Sequence, residues 1–142
     1  MIETGPVPRL AELLNLDGQR VLVTGASGNI GRGIALRLAE AGADVVVHYH
    51  ADEDGASQTV SAITAAGRAA EPVQADLGNP DEVEAMFANV VDGSAPVTHV
   101  VNNAGNFPVH PFTDMSVAEW RGVMAANLDS AVYVCREAIR RW

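Results

Sequence analysis

The chain has 142 residues, 48% of them apolar, with a formal charge of −9 and a sequence pI near 4.7, which fits one domain with a substantial core and excludes a disordered tail. That acidity lacks the clustered cations of a nucleic-acid or anionic-membrane surface, so the expected partners are small molecules and proteins, with no nucleic acid and no membrane. No apolar run approaches the ~18 to 20 residues of a membrane span, and Glu3 and Pro6 stand where a basic export leader would begin; a soluble, cytoplasmic protein is the expectation.

In chain order, residues 1–19 read as a lead-in with Leu10, Leu13, Leu14 and Leu16, and residues 20–142 as the domain. Arg20 to Thr24 is a buried strand. Asn29 to Ala41 follows as a helix with Ile30, Ile34, Leu38 and Ala41 at helical spacing and Gly42 just past its end. A second strand runs Ala43 to Tyr49, a helix Asp52 to Ala66 stops at Gly67, and a weaker third strand covers Ala70 to Ala75. Asn79-Pro80-Asp81-Glu82 has the chemistry of a helix start: a capping Asn, Pro at the first helical position, and carboxylates at the positive end of the dipole. That helix reaches about Val91. Val97 to Asn102 is the fourth strand; a Pro-containing loop then leads to Ser116-x-x-Glu119, a capping box opening a last helix that runs to Trp142.

Strands alternating with helices imply parallel pairing through right-handed crossovers, hence an α/β, doubly wound, Rossmann-like sheet of four strands. The continuous apolar strands VLV and VVV agree, because both faces of such a sheet are covered. Along the last helix Val117, Trp120, Met124, Ala131, Cys135, Ala138 and Trp142 form one apolar stripe, expected to be core. Cys135 is the single cysteine, which rules out an internal disulfide, and it reads as a buried small residue. Asn127 falls on the same stripe; a buried amide without partners costs roughly 1 to 3 kcal/mol, so it is expected to be hydrogen-bonded.

The segment TGASGNIG, Thr24 to Gly31, lies at the first strand-to-helix junction. Small residues there let a backbone approach a pyrophosphate while the N–H groups of the first helical turn face the anion; a tight turn that only packs helix on sheet is the alternative. Asn29 stands where a more familiar version has glycine. Asparagine tolerates positive φ better than other side chains, so Asn29→Gly is expected to alter cofactor affinity tenfold or less, about 1.4 kcal/mol. The end of the second strand offers Tyr49 and His50 instead of the carboxylate that would accept from a ribose 2′-hydroxyl. NADP is therefore favoured and NAD is the alternative. Asp76-Leu77 and Asn102-Asn103-Ala104-Gly105 end the third and fourth strands at the same sheet edge, where open parallel sheets bind ligands. Asp76 suits an adenine amino group or a local turn. No metal site is expected: His48 and His50 share a side of one strand without a third ligand, and His99 and His110 are isolated.

These residues together resemble the short-chain dehydrogenase/reductase family, and its 3-oxoacyl-acyl-carrier-protein-reductase-like members in particular. The resemblance runs from Leu16-Asp17-Gly18 to Trp142 and rests on TGASGNIG, Ala75-Asp76-Leu77, Asn102 to Gly105, and Glu119, Trp120, Asn127 and Leu128. It implies that Gly25, Ser27, Gly28, Asn29, Ile30 and Gly31 cradle the pyrophosphate. His50 would lie near the adenosine ribose, Asp76 and Leu77 meet adenine, and Asn103, Ala104 and Gly105 line the ribose side. Asn127 would be catalytic, holding a water and a lysine in a proton relay.

The implied reaction is NAD(P)-dependent hydride transfer to a small carbonyl or from an alcohol, with a Ser orienting the substrate and a Tyr-x-x-x-Lys pair supplying the proton. All nine basic residues here are arginines, and neither Tyr49 nor Tyr133 is followed by a lysine. The chain is thus expected to be the cofactor half of a larger reductase, truncated after the helix carrying Asn127, lacking the second half of the fold and inactive alone. The alternative is a non-catalytic dinucleotide-binding or interaction module. Another adenosine-cofactor Rossmann domain, such as a methyltransferase, fits the Asn102 to Gly105 segment and Asn127 less well. Self-association through the last helix is an open expectation.

Overall fold

The computed structural model describes residues 13–91 and 95–142. Of the expected lead-in, residues 1–12 lie outside the described residues; Leu16 is tied to the end of the first helix by its N–H to the Ala41 carbonyl at 2.8 Å. Four parallel strands, β1 (Arg20–Val23), β2 (Asp44–Tyr49), β3 (Ala70–Gln74) and β4 (His99–Val101), form one sheet in the order β3-β2-β1-β4. The helices are α1 (Asn29–Glu40), α2 (Glu53–Ala65), α3 (Pro80–Val91), α4 (Val117–Met124) and α5 (Ser130–Arg141). This is the α/β Rossmann-like architecture that the alternation predicts.

β1 lies at the centre, with Leu22 level with Val46 on one side and Val100 on the other. The two-residue period of a strand sends its neighbours to opposite faces. Val21, Val23, Val45 and Val47 join Ala35, Ala39, Ala56 and Ile63 in one core; Leu22 and Val46 join Val83, Met86, Phe87 and Val134 in the other. Each buried Val, Leu, Ile, Met or Phe among them contributes about 1.5 to 3 kcal/mol, so the strands buried on both faces anchor the domain. Positive φ at Gly42 and Gly67 ends α1 and α2 where the sequence places their caps, and the Ser116–Glu119 capping box opens α4.

Three sequence expectations change. The single long helix is interrupted: Ala125–Asp129 forms a π-helical turn between α4 and α5. In α1 the buried residues are Gly31, Ala35 and Ala39, whereas Ile30 is 73% exposed; small side chains let the helix approach the sheet closely, and the bulkier stripe rotates outward. The buried face of α5 also differs from the expected stripe, for another reason: its buried residues are Ser130, Val134, Glu137 and Ala138. Cys135 is exposed and Trp120 is 49% exposed, so neither is core. Hydropathy misplaced this face because Glu137 is buried with its charge matched by Arg136, Arg140 and Arg141 at 3.3, 3.0 and 2.5 Å. Those arginines hold the Glu137 carboxyl below its ordinary pKa, the Arg141 hydrogen bond most strongly.

Candidate functional site at the carboxyl edge of the sheet

Thr24, the last residue before the glycine turn, organises the edge. Its buried hydroxyl accepts from the N–H groups of Asn103 and Ala104 at 2.9 and 3.0 Å and donates to the Val101 carbonyl at 3.3 Å. Asn103 returns the connection, its Nδ2 donating to the carbonyls of Thr24 and Gly25 at 2.9 and 3.2 Å. The loops after β1 and β4 are thereby locked together. The neighbouring Asn102 points elsewhere, its Nδ2 reaching Cys135 Sγ at 3.2 Å.

The turn itself needs its small residues. Gly25 has φ +64, and a Cβ there would lie 3.1 Å from Ala104 Cα. A Cβ on Gly31 would run into the Gly25 carbonyl and lie 2.6 Å from Asn103 Nδ2. Gly31 thus serves helix–sheet contact, and a Cβ on Gly28 would meet nothing within 4 Å. Asn29 has φ +49 and is the one non-glycine residue with positive φ among the described residues, the conformation that asparagine tolerates. Beyond it, α1 begins at Gly28 with no side-chain cap and no acidic residue in its first turn. The helices after the other strands differ: Asp52 caps α2, which has Glu53 and Asp54 in its first turn, α3 has Asp81 and Glu82, and α4 has Ser116 with Glu119. The N–H groups at the start of α1 are therefore left facing outward with a favourable field for an anion.

A cavity of about 400 Å³ opens at this edge. Of the residues singled out in the sequence, Gly25, Ser27, His50, Asp76, Leu77, Ala104 and Gly105 line it. Gly31 and Asn103 adjoin the turn as packing and bracing groups, Gly28 is half-buried, and Asn29 and Ile30 are exposed at the head of α1. Asp76 Oδ1 accepts from the Gly78 N–H at 2.9 Å, the local-turn geometry, while Leu77 is buried beside it. Asp52 also lines the cavity, but its carboxylate accepts from the Gly55 N–H at 3.0 Å as the cap of α2.

Asn127 lies in the π-helical turn, half-buried. Both donors and one acceptor site of its amide are engaged: Nδ2 donates to the carbonyls of Asn106 and Val123, both at 2.8 Å, and Oδ1 accepts from the Asn106 N–H at 3.2 Å. The expected hydrogen bonds are present, and they tie the Gly105-Asn106 loop to the helix. Farther along that loop, His110 Nε2 meets Glu119 Oε1 at 2.7 Å. The Pro111 carbonyl and Glu119 raise the His110 pKa, and His110 lowers that of Glu119.

Thr24, His48 and Ser130 were not among the residues singled out as a site. His48 is 2% exposed on β2 and lines the cavity. Burial pushes its pKa down to about 4, against the raising effect of the Ala75 carbonyl and with a further lowering by His50. A signal existed: one polar side chain in the apolar strand VVVHY must find partners inside. Ser130, buried at the head of α5, donates to the Ala126 carbonyl at 2.8 Å, and nothing in its sequence context marks it.

The sequence model of the short chain dehydrogenase family matches residues 19–142. Among curated proteins, 3beta-hydroxysteroid dehydrogenase 1 of Eggerthella lenta is 40% identical over 125 residues, covering 88% of this chain and 48% of that protein. A 3-oxoacyl-[acyl-carrier-protein] reductase of Synechocystis sp. is 36% identical over 126 residues, covering 89% of this chain and 51% of its own length. The chain thus spans about half the length of the curated relatives it matches. Among solved structures, a short-chain type dehydrogenase/reductase from Mycobacterium marinum superposes with a TM-score of 0.88 at 30% identity, over 94% of this chain and 54% of that one. A dehydrogenase from Burkholderia cenocepacia with bound NADP gives 0.82 at 35% identity, over 89% and 49%.

Proposed function

This chain belongs to the short-chain dehydrogenase family, and from that premise we propose that it binds NADP(H), with NAD(H) second, at the carboxyl edge of its sheet as the cofactor half of an oxidoreductase. The observation that carries the proposal is the start of α1. Alone among the helices that follow a strand, it has neither a capping side chain nor a first-turn acid, and it adjoins a turn whose glycines allow close backbone approach.

In this reading the backbone from Gly25 through Ser27, Gly28, Asn29, Ile30 and Gly31 holds the pyrophosphate. Asp76 and Leu77 meet adenine, and Asn103, Ala104 and Gly105 form the ribose side. His50 lines the cavity and in this reading faces the 2′-phosphate, while Asp52, which also lines it, is turned to cap α2; NADP is favoured on that ground. When bound, the nicotinamide supplies hydride exchange with a small carbonyl or alcohol. The chain's own groups bind and orient: Asn127 fixes the Gly105-Asn106 loop through its amide, and the relay role implied for it belongs to the same proposal.

With no lysine among its residues, residues 1–142 on their own are proposed to bind without turnover, which is also what the alternative of a non-catalytic binding module requires. Titration with NADPH and NADH, followed by nicotinamide fluorescence, tests this. Saturable binding, tighter for NADPH and shifted toward NADH by His50→Asp, is expected. No saturable change up to about millimolar ligand, roughly 4 kcal/mol, overturns it.

A further inference from the structure

Both loops of the proposed cofactor site, the glycine turn after β1 and the Ala75-Asp76-Leu77 loop after β3, flank one buried side chain. His48 Nδ1 lies 3.0 Å from the Gly25 backbone nitrogen, and its Nε2 lies 3.1 Å from the Ala75 carbonyl oxygen. The backbone of β2 repeats both connections: the Ala26 N–H donates to the His48 carbonyl at 2.8 Å, and the Ala75 N–H to the Tyr49 carbonyl at 3.2 Å. An amide N–H can only donate and a carbonyl can only accept, so the ring must accept at Nδ1 and donate at Nε2. One species meets both demands, the neutral imidazole protonated on Nε2.

From this geometry we infer that His48 is a positioning residue for the dinucleotide, a cross-brace that sets the spacing between the turn proposed to hold pyrophosphate and the loop proposed to meet adenine. The inference rests on the cofactor reading above. Gly25, at positive φ, has its N–H direction fixed by the ring. Ala75 immediately precedes the two proposed adenine residues. A ligand that touches both loops gains from having their separation set before it arrives, because no loop ordering is then charged against binding. A ligand that touches one loop gains little.

The test uses His48→Phe, which fills the ring volume and removes both polar contacts. Two further variants divide the contacts: His48→Asn keeps a polar atom near the Nδ1 position, and His48→Gln keeps one near Nε2. Each is titrated with NADPH, which spans both loops, and with adenosine 2′-monophosphate, which has no 5′-phosphate to reach the glycine turn. The expected result is that His48→Phe weakens NADPH about tenfold or more and the monophosphate less than about threefold, with His48→Asn and His48→Gln in between for NADPH. Equal weakening of the two ligands, or NADPH binding within about threefold of wild type, overturns the brace.

Imidazole ¹⁵N chemical shifts of the wild-type protein, free of ligand, provide a second readout that needs no variant to fold. Neutral His48 protonated on Nε2 is expected at pH 7, and the Nδ1-protonated tautomer overturns the inference. Failure of the wild type to bind either dinucleotide would instead remove the cofactor reading, whatever tautomer is found.

Discussion

The edge around Thr24 and the helical stretch around Trp120 treat their side chains in opposite ways. At the edge, polar groups are buried or half-buried and matched: the Thr24 hydroxyl, the Asn103 amide and the His48 ring each have two or more partners within 3.3 Å. On the helical side and in the loop that leads to it, large apolar groups are exposed: Phe107, Phe112, Val117, Leu128, Val132 and Ile139, with Val109 at 98%. A residue type therefore does not decide burial here. What decides it is whether the neighbouring element comes close enough to exclude water and still offers partners. β1 and β2 have strands on both sides and helices on both faces, whereas the outer face of α4 and α5 has no neighbour among the described residues.

Gly31→Ala should separate the regions most sharply. Its Cβ meets backbone, which cannot swing aside, so a loss of about 3 kcal/mol or more is expected in urea denaturation. A loss under about 1 kcal/mol would mean that α1 slides freely on the sheet.

Acid is next. Unfolded, His48 takes its proton near pH 6.5; folded, only near about 4. Between those values the unfolded chain binds more protons, so this contribution is fully present above pH 6.5 and is lost as pH falls toward 4, by roughly 3 kcal/mol. Comparing wild type with His48→Phe in denaturation curves across that window isolates it from the carboxylates; identical slopes would contradict the buried neutral ring.

Thr24→Val keeps the shape but strips the acceptor from two backbone N–H groups. It should cost about 2 kcal/mol, and Thr24→Ser should recover most of that. Across the molecule, Trp120→Gln should change stability by no more than about 0.5 kcal/mol, because half of the side chain is already in water. A cost near that of Thr24→Val would erase the contrast.

The smallest effect is expected at the His110–Glu119 contact. The His110 pKa is raised, so its contribution is complete below pH 6.5 and fades as pH rises through the folded value. Amide exchange of residues 105–111, compared on the two sides of that transition and corrected for intrinsic rates, should show lower protection at the higher pH.

Much of this was legible beforehand because it follows from local chemistry. VLV and VVV between glycine-bounded helices fix parallel strands; Gly42, Gly67, Asn79 and the Ser116–Glu119 box fix helix ends. TGASGNIG and Asn102 to Gly105 mark the sheet edge, and asparagine at position 29 suits the φ of +49 found there. The π-helical turn was not legible, since one extra residue in a helical turn leaves no mark on hydropathy.

The sequence by itself determined the order of strands and helices, their caps and the edge that carries the glycine turn, because these depend on backbone preferences and on periods of a few residues. Only the tertiary structure decided which face of α1 and α5 is buried, that Glu137 lies inside among its three arginines, and that His48 joins two loops that lie 23 and 27 residues from it in sequence. Those outcomes depend on distances between segments brought together by the sheet, and no local pattern encodes such distances.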